Sequence, residues 1–219
     1  MAFGEMILSK LQEKYEVVEN DLKDNALLKK SGMKFALRGF DVKDLGHYFI
    51  MNMNGMMGAM KMETAVLVVD NKKVPLVNID YVSVVGKESM MAEYYDLAGD
   101  GLPSGYQEKF EAIKKADAAL ENYKAEEQWY SKYLLPITYQ KTGKKMFDHF
   151  LKVAGQQTDL FLEMTEAAQP ADREERMAEA LSFAQGLLDN GGPAINQFVK
   201  LFGRARTEQI VKECMYGVK

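Results

Sequence analysis

Cysteine, histidine and long apolar runs are scarce in this chain of 219 residues. Cys214 is the single cysteine, which excludes an internal disulfide and a site built from several thiolates. The two histidines, His47 and His149, are far apart in the chain, so neither a histidine-rich metal site nor a Ser-His-Asp triad is supported. No run is long enough to span a bilayer, and the first residues lack the pattern of a signal peptide. We therefore expect a soluble, cytoplasmic protein with no metal and no membrane partner.

Positive charge is not in excess either. Lysine and arginine total 28 against 32 acidic residues, for a net charge of −4, which argues against a nucleic-acid partner. The glycine-rich and histidine motifs of nucleotide-binding proteins, metalloproteases and serine hydrolases are also absent. Basic clusters at 141–145 and 200–206 fit an acidic protein or an anionic ligand, although a solvated helix face gives the same pattern.

Methionine, in contrast, is abundant. The chain has 15 methionines, and several of them crowd the segment from Met51 to Met62. Because methionine is flexible and polarizable, such a cluster can line a pocket that adapts to a flat ligand, or can fill an irregular core.

The middle of the chain reads as a series of strands. Apolar runs at 62–69, 74–85 and 90–96 are separated by short polar turns, so consecutive strands are expected to pair antiparallel. Two shorter candidates, 34–40 and 48–53, precede them. The dipeptide Asn54-Gly55 after the second candidate is typical of a hairpin turn.

Helical spacing dominates the two ends. The opening helix is predicted from five apolar positions: Ile7, Leu8, Leu11, Tyr15 and Val18. Near the C-terminus, Asp172 and Glu175 have the spacing of a helix N-terminus, and the helix that they begin is predicted to end at Asn190. Pro193 suits the first turn of a shorter helix that Gly203 ends, and Thr207 is predicted to cap the last helix. Strands followed by helices, with no linker between them, predict a single α+β domain over 1–219.

One carboxylate stands inside the middle apolar run. With the two-residue period of a strand, Asp80 shares a face with Asn78 and Val82, while Ile79 and Tyr81 occupy the other. A carboxylate among apolar neighbours must be hydrogen-bonded, must have a raised pKa, or must meet a ligand. A lone aspartate more commonly caps a loop or points to solvent, and the spacing alone does not exclude that reading.

Several segments resemble one known family. The resemblance spans about 47–216 and is carried by these segments: Val74 to Asp80, Met91 to Leu97, Phe150 to Met164, Ala167 to Pro170, Phe198 to Gly203 and Glu213 to Tyr216. Together they look like the ferredoxin-dependent bilin reductases and the related red chlorophyll catabolite reductases, in which an Ala-Gln-Pro-like turn joins two C-terminal helices.

The resemblance implies a three-layer α/β/α sandwich with a central, mainly antiparallel sheet. It also implies reduction of a linear tetrapyrrole, such as biliverdin, held between the sheet and the C-terminal helices. Such enzymes bind no cofactor and take electrons from reduced ferredoxin or a similar acidic electron-transfer protein. The family's proton-donating aspartate matches Asp80, and a raised pKa is the property that a donor needs.

Departures from the family's pattern set the remaining expectations. Glu63 stands where many members have a histidine, and Met51 stands near the position of a glutamate. We therefore expect Asp80 as proton donor, Glu63 as a possible second acid, and a substrate-binding set made of Asn78, Asn190, Met51 and Met62. Glu63 could equally face away from Asp80, since the two arrangements differ by one residue of register. The missing partners keep open a non-catalytic tetrapyrrole or haem carrier, and an α+β domain with an unrelated role.

Overall fold

A computed structural model describes residues 2–218. Nine strands form one sheet, and all their pairings are antiparallel. The strands are β1 (Val17–Asn20), β2 (Leu27–Lys30), β3 (Met33–Val42), β4 (Gly46–Gly55), β5 (Met60–Val69), β6 (Leu76–Val84), β7 (Lys87–Tyr95), β8 (Glu121–Asn122) and β9 (Tyr139–Lys144). Their order across the sheet is β1-β3-β4-β5-β6-β7-β9-β8, and β2 also pairs with β3.

Helices cover both faces of this sheet. They are α1 (Phe3–Lys14), α2 (Tyr106–Ala116), α3 (Phe147–Ala167), α4 (Arg173–Asn190), α5 (Pro193–Phe202), α6 (Arg204–Gln209) and a π-helix (Ile210–Met215). The first three pack on one face, and α4, α5 and the π-helix pack on the other. The predicted α+β fold, a three-layer sandwich around an antiparallel sheet, is confirmed. Within 2–218 no helix combines the length and the apolar character needed to cross a bilayer.

The alternation along β6 decides what each face receives. Val77, Ile79 and Tyr81 enter the core beneath α1 and α3. Asn78 and Asp80, on the same strand, lie on the side of α4 and α5. One strand thus contributes an apolar face to a solid core and a polar pair to the opposite layer, as its two-residue period predicts.

Three local predictions at the C-terminus are confirmed and one is wrong. The Asp172 side chain accepts a hydrogen bond from the Glu175 backbone N–H at 3.0 Å and caps α4. Helix α4 ends at Asn190, and Pro193 begins α5, which ends before Gly203. Thr207 does not cap a helix, because it lies inside α6, where its hydroxyl donates to the Gly203 carbonyl at 2.8 Å.

Two boundaries near the N-terminus also differ from expectation. Helix α1 ends at Lys14, and Val18 is instead an exposed residue of β1. Asn54-Gly55 is not a hairpin turn, because β4 continues through Gly55 and the chain reverses at 56–59. In both places, pairing with a neighbouring strand overrides the local preference.

Candidate functional site

A cavity of about 130 Å³ lies between the sheet and the C-terminal helices. Strands β4 to β7 form its floor, and α4, α5 and the π-helix form its roof. Asp80 and Asn78 project into it from β6, and Thr64 projects from the neighbouring β5. Most of the remaining wall is apolar or aromatic, which is the usual composition of a small-molecule site.

Asp80 holds the central polar position. Its carboxylate accepts from the Thr64 hydroxyl at 2.5 Å and from the Asn78 amide at 2.7 Å. Burial raises the pKa of Asp80 to about 6, with a further contribution from the negative charge of Glu93, although both hydrogen bonds act in the opposite direction. The carboxyl therefore changes protonation state close to neutral pH while it borders the cavity.

Asn78 carries an unsatisfied acceptor beside that carboxyl. Its amide nitrogen donates to Asp80, but its Oδ1 is buried and has no partner in the described structure. A buried amide oxygen without a donor is costly, so such groups are rare in folded proteins. Rotation of the amide would let the Asn78 oxygen accept a hydrogen bond from the O–H of a neutral Asp80, so this pair can accommodate both protonation states.

Glu93 is a second cavity carboxylate that sequence reasoning missed. It lies on β7 directly opposite Asn78. The Tyr95 hydroxyl donates to one of its oxygens at 2.6 Å, and the Gln140 amide donates to the other at 2.8 Å. With both oxygens engaged, Glu93 acts on Asp80 through its charge. Glu93 is an acidic residue in the middle of the apolar strand β7, and the same pattern in β6 had identified Asp80.

An aromatic cluster forms one wall of the cavity. The Phe183 ring lies 5.1 Å from the Tyr95 ring and 5.9 Å from the Tyr216 ring, measured between centroids. The Tyr130 ring lies 5.9 Å from that of Tyr95. Burial raises the pKa of Tyr130 to about 12 and that of Tyr216 further, so both phenols are neutral at physiological pH. Such a wall suits a flat, conjugated ligand.

Trp129 fixes the end of α4 beside this wall. Its indole N–H donates to the Gly191 carbonyl at 3.0 Å. Its ring lies so close to Gly186 that a Cβ there would overlap the indole ring. Gly186 therefore has no room for a side chain, and the Trp129–Tyr130 segment is locked against the roof of the cavity.

Met51 and Met62 both line the cavity, on β4 and β5 respectively. Met215 approaches from the π-helix on the other side. The segment's other methionines divide between core and surface: Met53 is buried, whereas Met56 and Met57 are exposed. The methionine cluster is thus only in part a cavity wall.

Glu63 is not brought to Asp80. In the observed register Thr64 pairs with Asp80, so Glu63 points to the opposite face of the sheet. There its carboxylate accepts from the Phe3 backbone N–H, at the start of α1, at 2.6 Å. Burial raises the pKa of Glu63, and the backbone N–H groups of Phe3 and Gly4 oppose that shift. Of the two arrangements left open by the sequence, the structure has the one facing away from Asp80, so Glu63 lies outside the cavity.

Asn190 and the basic clusters also lie elsewhere. The Asn190 amide donates to the Gly186 carbonyl at 3.0 Å, and the residue is exposed at the end of α4. Lys141 is buried, and its amine donates to Asn122 at 2.8 Å. Arg204 pairs with Asp189 at 2.7 Å. None of Asn190, Lys141 and Arg204 lines the cavity.

Neither histidine contributes to the cavity. His47 is buried in β4, with Nε2 2.8 Å from the Cys214 carbonyl oxygen, and burial lowers its pKa. His149 contacts the Asp117 carboxylate at 2.9 Å. Within 2–218 no three side chains of His, Cys, Asp or Glu converge as a metal site requires.

Two glycines with positive φ bound helix α5 in the roof of the cavity. Helix α5 follows Gly191, whose φ is +79°, and precedes Gly203, whose φ is +82°. Its buried residues, Ile195 and Phe198, reach the cavity, and the Phe198 ring lies 5.0 Å from that of Phe35. Val199, Leu201 and Phe202 of the same helix also pack against the core on this face of the sheet, from its margin. A short helix flanked by glycines can move as a unit.

Comparison with known proteins identifies a structural neighbour. No protein-family profile matches the chain, and no curated protein matches it in sequence. The crystal structure of phytochromobilin synthase from tomato, in its selenomethionine form and in complex with biliverdin, is similar to this chain with a TM-score of 0.75. The match covers 99% of this chain and 83% of that chain, at 10% sequence identity. At this identity the likeness establishes the shared fold.

Proposed function

We propose that the chain binds a linear tetrapyrrole in the cavity and reduces it, with Asp80 as the proton donor. One observation carries the proposal: a carboxyl with a pKa of about 6 borders an aromatic and apolar cavity, held by Thr64 and Asn78. The likeness in fold to a protein crystallised with biliverdin supports the choice of ligand class. A general acid is most effective when its pKa lies near the working pH.

Reduction of each double bond of the pigment would take two electrons and two protons. Electrons would arrive one at a time from an external reduced ferredoxin, which is oxidised. Asp80 would give its proton to the tetrapyrrole after the first electron makes the pigment more basic. It would then recover a proton from solvent and give it to the pigment after the second electron. Rotation of the Asn78 amide would compensate each change of charge on Asp80.

The cavity must enlarge to admit such a ligand. Its volume of about 130 Å³ is close to that of a cavity that holds one benzene ring, whereas pockets for drug-sized ligands measure roughly 300–1,000 Å³. Outward movement of α5 about Gly191 and Gly203 would supply the missing space, because Ile195 and Phe198 are its buried contacts. Ligand entry would therefore be coupled to displacement of this helix.

The decisive variant is Asp80→Asn, compared with Glu63→Gln. The first neutralises the carboxyl in the cavity, and the second makes the same kind of change on the opposite face. In an anaerobic absorbance titration with biliverdin, both variants are expected to shift the pigment's spectrum as the unmodified protein does. After reduced ferredoxin is added, Asp80→Asn should lose at least about a hundredfold in turnover, in keeping with general acid catalysis. Full turnover by Asp80→Asn would remove this residue from the mechanism.

The alternative is a tetrapyrrole or haem carrier that does not catalyse. It is favoured by the apolar and methionine-rich wall around Met51, Met62 and Met215, and by the absence of histidine from the cavity lining within the described chain. A carrier would give a spectral shift with biliverdin or haem that does not change when reduced ferredoxin is added. The absence of any shift with either pigment would contradict both functions.

A further inference from the structure

Four apolar side chains project into solvent at one end of the sheet. They belong to two adjacent hairpins, and we call them the apolar tip: Met56, Met57, Val84 and Val85. Met57 has the exposure of a side chain with no neighbours, at 106%, and Val85 is 76% exposed. The Val85 backbone N–H donates to the Ala59 carbonyl at 2.9 Å, so the two hairpins form one continuous surface.

The backbone of the apolar tip is strained. Met56, Met57 and Val85 have φ values of +49°, +52° and +49°, in the left-handed region that non-glycine residues rarely adopt. Val85 and Gly86 are the central residues of a two-residue hairpin with positive φ at both, the type I′ turn, where asparagine is preferred and a β-branched residue is an outlier. The positive φ values and the exposed apolar side chains both cost free energy, and no contact within residues 2–218 compensates for either.

Seven exposed lysines flank the apolar tip on both sides along the sheet. They are Lys29, Lys30, Lys34, Lys61, Lys87, Lys144 and Lys145. Lys87 lies 3.9 Å from Glu121, and the other six form no ion pair within 2–218. Acidic residues at this end are fewer: Glu88, which accepts from the Met146 backbone N–H, Glu121, and Asp148 in the first turn of α3. This end is therefore positive in a chain whose net charge is −4.

The use of lysine and not arginine around the apolar tip favours a lipid surface over a protein partner. All seven residues are lysine, and the chain's five arginines lie elsewhere. Protein interfaces are enriched in arginine and depleted of lysine, since arginine pairs with carboxylates in a fixed geometry. Lysine is a mobile point charge on an apolar stem, which suits a diffuse anionic surface. A protruding side chain such as Met57 would need a preformed socket in a protein but enters a fluid lipid layer directly.

From these observations we infer that the apolar tip inserts into the headgroup region of an anionic membrane, with the flanking lysines held against the lipid phosphates. Only the two hairpin turns would enter the membrane surface, and the strands would not cross the bilayer. This surface is separate from the cavity, so the inference does not depend on the ligand bound there.

Co-sedimentation with phospholipid vesicles tests the inference on the full chain. The protein is expected to sediment with vesicles of phosphatidylcholine and phosphatidylglycerol, to remain in solution with phosphatidylcholine alone, and to dissociate as salt is raised. Lys61→Gln and Lys87→Gln should each weaken binding about fivefold. Met57→Ser combined with Val85→Asn should weaken it about tenfold, since apolar burial is lost. Because asparagine suits a type I′ turn, Val85→Asn should keep or raise stability, which separates the binding loss from misfolding.

Matched controls carry the same chemical changes away from this end. Val18→Asn alters an apolar residue that is 55% exposed on β1, and Lys152→Gln removes an exposed charge from α3. Neither should alter vesicle binding. The inference is overturned if the protein fails to sediment with anionic vesicles, or if the tip variants sediment as the unmodified chain does. Self-association abolished by Val85→Asn would assign the tip to a second copy, and binding to soluble polyglutamate without vesicle binding would assign it to an acidic protein.

Discussion

The two faces of the sheet differ in how they treat a buried carboxylate. Glu63 and Asp80 lie on neighbouring strands, one residue out of register, and project to opposite sides. Glu63 accepts from a backbone N–H at the start of α1, a donor fixed by the helix itself. Asp80 accepts from two side chains, Thr64 and Asn78, and borders a cavity. The first arrangement completes a helix end, whereas the second leaves a titratable group accessible to a ligand.

Packing shows the same contrast. Beneath α1 and α3 the residual void is about 20 Å³, against about 130 Å³ beneath α4 and α5. On the packed side the Tyr94 hydroxyl donates to the Gln157 side-chain oxygen at 2.8 Å, while the Gln157 amide nitrogen has no partner within 2–218. The layer beneath α1 and α3 is therefore the more closely filled of the two, and the layer beneath α4 and α5 keeps the larger void.

The largest expected effect is on the free energy of unfolding when one leucine on each face is replaced by alanine. Leu11 in α1 is fully buried on the packed face, and Leu187 in α4 borders the cavity. Leu11→Ala should lower the free energy of unfolding by about 4–5 kcal/mol, and Leu187→Ala by about 2–3 kcal/mol, since a residue beside an existing void loses fewer contacts. Urea unfolding monitored by circular dichroism measures both. Equal losses would mean that the two layers are packed alike.

The second test is Asp80→Asn, which should raise the free energy of unfolding by an amount that depends on pH. The pKa of Asp80 is about 6 in the folded chain against 3.8 in the unfolded one, so the native state holds its proton more tightly. Its contribution to stability is complete below pH 3.8 and is lost as pH rises through about 6. Asp80→Asn should therefore stabilise the protein at pH 7 by at most about 3 kcal/mol. It should also remove the slope of unfolding free energy between those pH values. An unchanged slope would show that another group is responsible.

A third test concerns the mobility of the cavity roof. Gly203 has a φ of +82° and open space around its Cα, so Gly203→Ala should cost about 1–2 kcal/mol through backbone strain alone. Gly32, at the β2–β3 turn with a φ of +74° and open space, provides the control. Both variants should lose stability in urea unfolding, but only Gly203→Ala should change the rate of biliverdin binding in stopped-flow absorbance. Equal binding rates would mean that α5 does not move to admit the ligand.

The sequence predicted the layers and the position of Asp80 because both depend on short-range periodicity. Alternation along β6 is a local property, and so are the Asp172 cap and the Pro193 start of α5. The sequence could not show which face of the sheet Glu63 occupies. That face depends on the pairing register of β5 with β6, and a shift of one residue would turn Glu63 to the opposite side. Glu93 was missed because its proximity to Asp80 arises from the pairing of β6 with β7. The aromatic wall depends on packing between segments far apart in the chain.

The smallest expected effect is that of Glu63→Gln, and it probes the packed face directly. The amide oxygen can still accept from the Phe3 N–H, so the bond is weakened rather than lost, while the desolvation cost of the charge disappears. These changes oppose each other, and the free energy of unfolding should shift by no more than about 1 kcal/mol. Biliverdin affinity should stay within about twofold of the unmodified protein, because 1.4 kcal/mol is needed for a tenfold change. A larger loss of affinity would show that the two faces of the sheet are coupled through β5 and do not have separate roles.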